Sequence, residues 1–240
     1  MNKVFTKGTA VVTGASHGVG ACYAEQLAER GFDVILVARN RARMNALASR
    51  LTDKTRRSFE VVQADLSVAD DLDRVEALLK TDSSITMLVN NAGIGAARYC
   101  ENDTCQVSEV IAVNLAALTR LTMAASLAFG SRGRGTIIQV ASVAAVKHDY
   151  QSGMHGAIAA YVVAYSKSLY AELAEQGVRM QVVLPEPGYR SFGELTRRGA
   201  DVRSRSDAGS VKRLVKTALE GLDHGEFVSM ASTRLRSHAS

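Results

Sequence analysis

The first segment with the makings of chemistry lies near the start of the chain. Directly after the apolar run Thr9-Ala10-Val11-Val12-Thr13, the sequence reads Gly14-Ala15-Ser16-His17-Gly18-Val19-Gly20 and then takes on helical period over 22–30. Glycines at such a turn let the backbone approach a pyrophosphate, whose charge meets the unpaired N–H groups and positive end of the helix. Glycines also serve as plain turn residues, so the turn alone decides nothing. After the second apolar run stands Arg39, whose planar fork suits a phosphate, with His17 and Arg43 placed to assist. The bland alternative is that Arg39 and Arg43 are solvated residues opening a helix, where the dipole does not favour a cation. Farther on, Arg190, Arg197, Arg198, Arg203 and Arg205 crowd one segment against Glu194 and Asp201. That excess suits a ligand bearing a carboxylate, a phosphate or CoA, and describes a solvated loop equally well. The three cysteines Cys22, Cys100 and Cys105 form no C-x-x-C pair. Neither a disulfide framework nor a metal cluster is expected, and reduced thiols fit a cytoplasmic protein.

Elements able to position these residues follow from the hydrophobic pattern. Short β-rich runs at 9–13, 33–38, 58–63, 85–90, 135–141, 178–184 and 225–230 alternate with Ala-, Leu-, Glu- and Arg-rich stretches of helical period. That rhythm predicts an α/β fold with a parallel sheet covered on both faces. No linker or internal repeat divides the chain. One domain over 1–230 is expected, with a lid near 188–207 and a polar, frayed tail at 231–240.

A length of 240 residues with 47% hydrophobic and 22% charged residues excludes a disordered or collagenous chain. Apolar runs such as 34–38 fall far short of the roughly 20 residues that cross a bilayer, so no membrane partner is expected. The net charge is +5, from 29 Lys and Arg against 24 Asp and Glu, without the aromatic and basic stripe of a nucleic-acid surface. No nucleic-acid partner is expected either.

Beyond the glycine turn, the second run ends Val37-Ala38-Arg39-Asn40, the third leads into Ala64-Asp65-Leu66, and the fourth reads Leu88-Val89-Asn90-Asn91-Ala92-Gly93. With Val113-Asn114-Leu115 and Ile137-Ile138-Gln139-Val140-Ala141-Ser142, these motifs resemble the short-chain dehydrogenase/reductase superfamily over roughly residues 8–230. The resemblance implies a single-domain, Rossmann-type, doubly wound sheet of seven parallel strands, with the ligand crevice at their carboxyl ends. It implies NADP(H) rather than NAD, because Arg39 stands where NAD users carry an acid. Gly14, Ser16, His17, Gly18, Val19 and Gly20 would hold the pyrophosphate side, and Asp65 and Leu66 the adenine. Asn91, Ala92 and Gly93 would line the ribose, although Asn91 reads also as a structural residue closing its strand. A homodimer or homotetramer is implied as well, pairing the long helices at 104–129 and 153–176.

The family's acid–base pair, a tyrosine with a lysine four residues later, is missing: none of the seven tyrosines has lysine at that spacing. Counting from Ser142, the family's catalytic serine position, and back from the segment 160–169 puts His155 at the tyrosine position and Ala159 at the lysine position. Lys167, despite its nearness to Tyr165, reads as a surface lysine. Glu186 and Arg190 depart from the family where a glycine and a threonine would meet the nicotinamide. His155 can exchange a proton without a lysine's help, Ser142 can donate to a carbonyl oxygen or oxyanion, and Asn114 matches the asparagine of the family's proton relay. The alternative reading is that His155 merely fills the tyrosine's space in a dead site.

Three functions stay open. One is proton-transfer chemistry on a carbonyl or hydroxyl compound, such as cyclisation, isomerisation or elimination, with NADP(H) bound. A second is NADPH-dependent carbonyl reduction with His155 as proton donor. The third is a catalytically silent NADP-binding sensor or subunit. The small-molecule ligand is expected to be anionic if the arginine-rich segment faces it.

Overall fold

Alternation along strand β1 (Thr9–Thr13) decides the architecture. Ala10 and Val12 face one apolar layer and Val11 the other, and all three are fully buried. In β2 (Asp33–Ala38) the same alternation sends Val34 and Leu36 one way and Ile35 and Val37 the other. A strand apolar on both faces must lie in a sheet's interior with helices above and below. The computed structural model describes residues 7–94, 104–146, 153–185 and 205–230. In it these strands join β3 (Phe59–Gln63), β4 (Ile85–Asn90), β5 (Gly135–Val140), β6 (Val178–Leu184) and β7 (Val228–Met230). The order is β3-β2-β1-β4-β5-β6-β7 and every neighbouring pair is parallel.

Helices α1 (Gly18–Glu29), α2 (Arg41–Thr55) and α7 (Arg205–Asp223) supply one layer, where Tyr23, Leu27, Met44, Leu51, Val215 and Leu219 pack together. Helices α3 (Ala69–Thr81), α4 (Thr104–Ile111), α5 (Leu118–Gly130) and α6 (Gly153–Glu175) lie in the chain between the later strands. Val75 and Leu79 of α3, Leu121 and Phe129 of α5 and Leu173 of α6 fill the second layer. The doubly wound α/β sheet of Rossmann type is therefore present, and it places the switch in strand order between β1 and β4, where such sheets bind ligands.

The seven runs became seven strands with small changes of boundary. The last begins at Val228 rather than 225, because Gly225 adopts a left-handed φ of +77° and turns the chain out of α7. The helix expected over 104–129 is interrupted by a π-helical turn at Ala112–Ala117, so α4 and α5 are two elements. By length and apolarity alone Gln106–Gly130 would suffice to cross a bilayer; half of it is buried inside the protein, as befits a core helix. Residues 205–207, the end of the expected lid, belong to α7, while 188–204 and the tail 231–240 lie outside the described residues.

Candidate active site

Thr13, at the carboxyl end of β1, ties the glycine turn to β4. Its buried hydroxyl donates to the Val89 carbonyl (3.3 Å) and accepts from the backbone N–H groups of Asn91 and Ala92 (3.0 Å each). Asn91 returns the contact, its Nδ2 donating to the carbonyls of Thr13 (3.0 Å) and Gly14 (3.3 Å). This packing explains two of the glycines. A Cβ on Gly14 would lie 2.8 Å from Asn91 Nδ2, and one on Gly20 would lie 2.5 Å from both that atom and the Gly14 carbonyl oxygen. Gly18 differs: its φ of +57° is like the +65° of Gly14, but a Cβ there would meet nothing within 4 Å, so it borders open space. Of the three, only Gly18 has the exposure expected of a backbone awaiting a ligand. Asn91 supports the turn from beneath, the structural alternative that its sequence position left open.

The amino end of α1 is suited to an anion. His17 occupies the cap position, yet its side chain makes no capping hydrogen bond and lies 3.0 Å from the Ser16 hydroxyl through Nδ1. Burial, and then the charges of Arg43 and Arg39, hold the His17 imidazole below its ordinary pKa, which favours the neutral ring. Val19 follows at the first turn, half-buried. An uncapped helix end beside open space at Gly18 fits a dinucleotide's pyrophosphate.

At the carboxyl end of β2, Arg39 leaves the strand with 61% of its side chain exposed. Its Nη1 lies 3.2 Å from Glu109 Oε1 of α4 and 3.8 Å from Asp65 Oδ2 after β3. Asp65 Oδ1 accepts from the Ser67 N–H (3.0 Å) and hydroxyl (2.6 Å), so that carboxylate holds its own turn. Leu66 is nearly buried, at 7% exposure, and packs in the second apolar layer. Arg43 sits in the first turn of α2, whose cap is Asn40 Oδ1 accepting from the Arg43 N–H (2.9 Å). Glu109 carried no signal in the sequence, because its meeting with Arg39 depends on how α4 lies across the crevice.

On the other side of the switch point, Ser142 follows β5 and caps a short 3-10 turn, Val143–Ala145, its Oγ accepting from the Ala144 N–H (3.2 Å). The Ala141 and Val143 amides donate to the carbonyls of Val183 and Pro185 (2.9 and 3.0 Å), which fixes the end of β5 against the end of β6. Helix α6 packs on that 3-10 turn. His155 lies in the first turn of α6 and is exposed, while Ala159, one turn on, is 3% exposed. Asn114 sits within the π-helical turn with its side chain occupied: Oδ1 accepts from the Ile94 N–H and Nδ2 donates to the Ile94 carbonyl, both at 2.8 Å. A Cβ on Gly93 would be 3.4 Å from that same Oδ1. Asn114 thus positions the segment after Asn91-Ala92-Gly93. Tyr161 and Tyr165 stack with ring centroids 5.7 Å apart, and the Tyr161 hydroxyl meets that of Thr119 at 2.7 Å. Lys167 is exposed, as expected. Glu186, Arg190, Arg197, Arg198, Arg203 and Cys100 lie outside the described residues, and no metal-binding group occurs among the described ones.

Fold and crevice together define the class of nucleotide-binding α/β proteins whose ligand lies at the carboxyl ends of a parallel sheet. Comparison narrows this. The family model for short chain dehydrogenase matches residues 8–191, and the chain belongs to the short-chain dehydrogenase/reductase family. It is 30% identical to human (Homo sapiens) 17-beta-hydroxysteroid dehydrogenase type 3 over 179 residues, which cover 73% of this chain and 57% of that protein. The chain thus spans a little over half the length of the first such relatives it matches. Among solved structures, it resembles the bulky-bulky ketone specific alcohol dehydrogenase from Comamonas testosteroni, with TM-score 0.85, 34% identity, and coverage of 97% of this chain and 89% of that one. It also resembles a short-chain dehydrogenase from Sphingobium yanoikuyae in complex with NADPH, with TM-score 0.86, 36% identity, and coverage of 95% and 89%.

Proposed function

We propose that this chain binds NADP(H) across the β1/β4 crevice and acts as an oxidoreductase on a carbonyl- or hydroxyl-bearing small molecule. His155 exchanges the proton in this reading and Ser142 orients the substrate oxygen. The observation that carries it is the packing of α6, whose first turn bears His155, on the 3-10 turn that Ser142 caps at the carboxyl end of β5. The Ser142 oxygen already accepts from the Ala144 N–H, which leaves its own proton for a carbonyl oxygen. His155, being exposed, can trade protons with solvent between turnovers.

The open Gly18, the uncapped start of α1 and Arg39 are the groups that would hold the cofactor, whose bound form supplies hydride. The solved relative carrying NADPH and the ketone-specific alcohol dehydrogenase support this reading over cyclisation, isomerisation or elimination. Oxidation of NADPH with a panel of ketones tests it. His155→Ala should lower that rate by about 10²–10⁴ while cofactor affinity is kept. Substrate loss without any change in nicotinamide absorbance would support the proton-transfer reading instead.

Ala159, buried at 3% exposure, offers nothing to hold a ribose or sharpen a proton donor, and it favours a second reading of a silent NADP-binding protein. Cofactor binding without turnover of any ketone or alcohol would select that reading. A cytoplasmic location and a homodimer or homotetramer complete the proposal.

A further inference from the structure

The pair Arg39 and Glu109 joins two elements far apart in sequence across the mouth of the crevice. Resting on the reading that the crevice takes NADP(H), we propose that Glu109 is a specificity-determining residue whose carboxylate competes with a nucleotide 2′-phosphate for Arg39. Arg39 Nη1 is shared between Glu109 Oε1 at 3.2 Å and Asp65 Oδ2 at 3.8 Å, and both acids are less exposed than the arginine, at 37% and 33% against 61%. One guanidinium is thus shared between two carboxylates where a 2′-phosphate would arrive, with Arg43 as a further cation nearby. Asp65 is held in place by Ser67, whereas Glu109 reaches Arg39 from the face of a helix.

A phosphate has two routes to this arginine. Taking the place of Glu109 at Nη1 breaks an existing ion pair. Approaching another edge of the guanidinium brings like charges within a few ångströms of one another. Both routes weaken binding of a 2′-phosphorylated nucleotide, and neither touches a nucleotide with a free 2′-hydroxyl. Glu109 therefore narrows the difference between the two nucleotide classes that Arg39 would otherwise set.

Titration calorimetry on the full chain with adenosine 2′,5′-bisphosphate and with 5′-ADP tests this. Removing one unit charge several ångströms from a phosphate should tighten the 2′-phosphorylated probe on the order of tenfold at low salt in Glu109→Gln, and less at about 1 M salt. The affinity for 5′-ADP should stay constant. Glu109→Ala should likewise tighten the 2′-phosphorylated probe and leave 5′-ADP unchanged, and thermal melts of both variants establish that they are folded. Unchanged or weaker binding of the 2′-phosphorylated probe by folded variants overturns the inference while leaving the cofactor reading intact, and so does equal tightening of both probes. A wild-type chain that binds neither probe overturns both.

Discussion

Arg39 and the glycines around it show how differently neighbouring residues of one motif bear substitution. Gly20→Ala would drive a Cβ to 2.5 Å from Asn91 Nδ2 and the Gly14 carbonyl oxygen, so the turn and the end of β4 must both shift. Overpacking of this kind costs about 1–3 kcal/mol, and loss of the Asn91 hydrogen bonds would add to it. Gly18→Ala meets nothing and should cost only about 1–2 kcal/mol for its left-handed backbone, with the larger effect on nucleotide affinity. Denaturant unfolding and nucleotide titration of the two variants should show opposite rankings. Arg39→Ala should weaken an NADP(H)-type ligand by about 1–3 kcal/mol, the range for hydrogen bonds to charged groups; equal affinities of the wild type and Arg39→Ala for NADP would refute that role. The glycine spacing was legible in the sequence. Which glycine borders open space was not, because the answer rests on Asn91, which arrives from a distant strand.

Among the elements, the long helix of the second layer departs most from what its sequence suggests. Residues 112–117 read Ala-Val-Asn-Leu-Ala-Ala, and nothing in their propensity favours a π-helical turn over an α-helix. Asn114 gives the turn a tertiary reason, since its side chain pairs with both backbone groups of Ile94. Asn114→Leu should leave those groups unpaired at a cost of about 2–4 kcal/mol, and amide exchange at Ile94 should accelerate. The same helix is joined to α3 by Arg120, which donates to Glu76 and Asp73. Burial acts to raise the Glu76 carboxyl, but hydrogen bonds from Arg120 and Lys80 outweigh it and hold the group below its ordinary range. A carboxyl depressed in the folded state contributes stability above its unfolded pKa and loses it as pH falls through the folded value. Glu76→Gln should therefore melt lower at neutral pH, by the equivalent of about 0.5–1 kcal/mol, and show a shallower loss of Tm below about pH 4.5. The inner strands β1, β2 and β4, by contrast, were legible almost residue by residue, because burial on both faces leaves them nearly uninterrupted apolar runs.

For the whole molecule, the order reversal between β1 and β4 separates the strand ends that carry the glycine turn, Arg39 and Asp65 from the end of β5, which carries Ser142, with α6 and its His155 packed on the turn that follows. Motif order made that arrangement legible. The nicotinamide side was less so, since His155 and Ala159 were located only by counting from flanking anchors. Ile111, Met123 and Leu127 on the α4–α5 stretch, with Tyr161 and Tyr170 on α6, are large apolar side chains exposed at 38% or more. Light scattering at micromolar concentration is expected to return a multiple of 25.6 kDa, and a monomer mass would rule out the symmetric assembly proposed.

Helix α7 clasps α1: the Gln26 amide donates to the Lys212 carbonyl (2.9 Å), Arg30 donates to the Leu219 carbonyl (3.3 Å), and Leu27, Val215 and Leu219 share one apolar layer. During synthesis, then, α1 waits for the much later α7 before its outer flank is covered. A nascent chain halted before 205 would carry Tyr23, Ala24 and Leu27 without their closing partner, and should be cut readily by protease where the finished chain resists. The glycine turn that opens α1 would reach its final rigidity only after α7 has been translated.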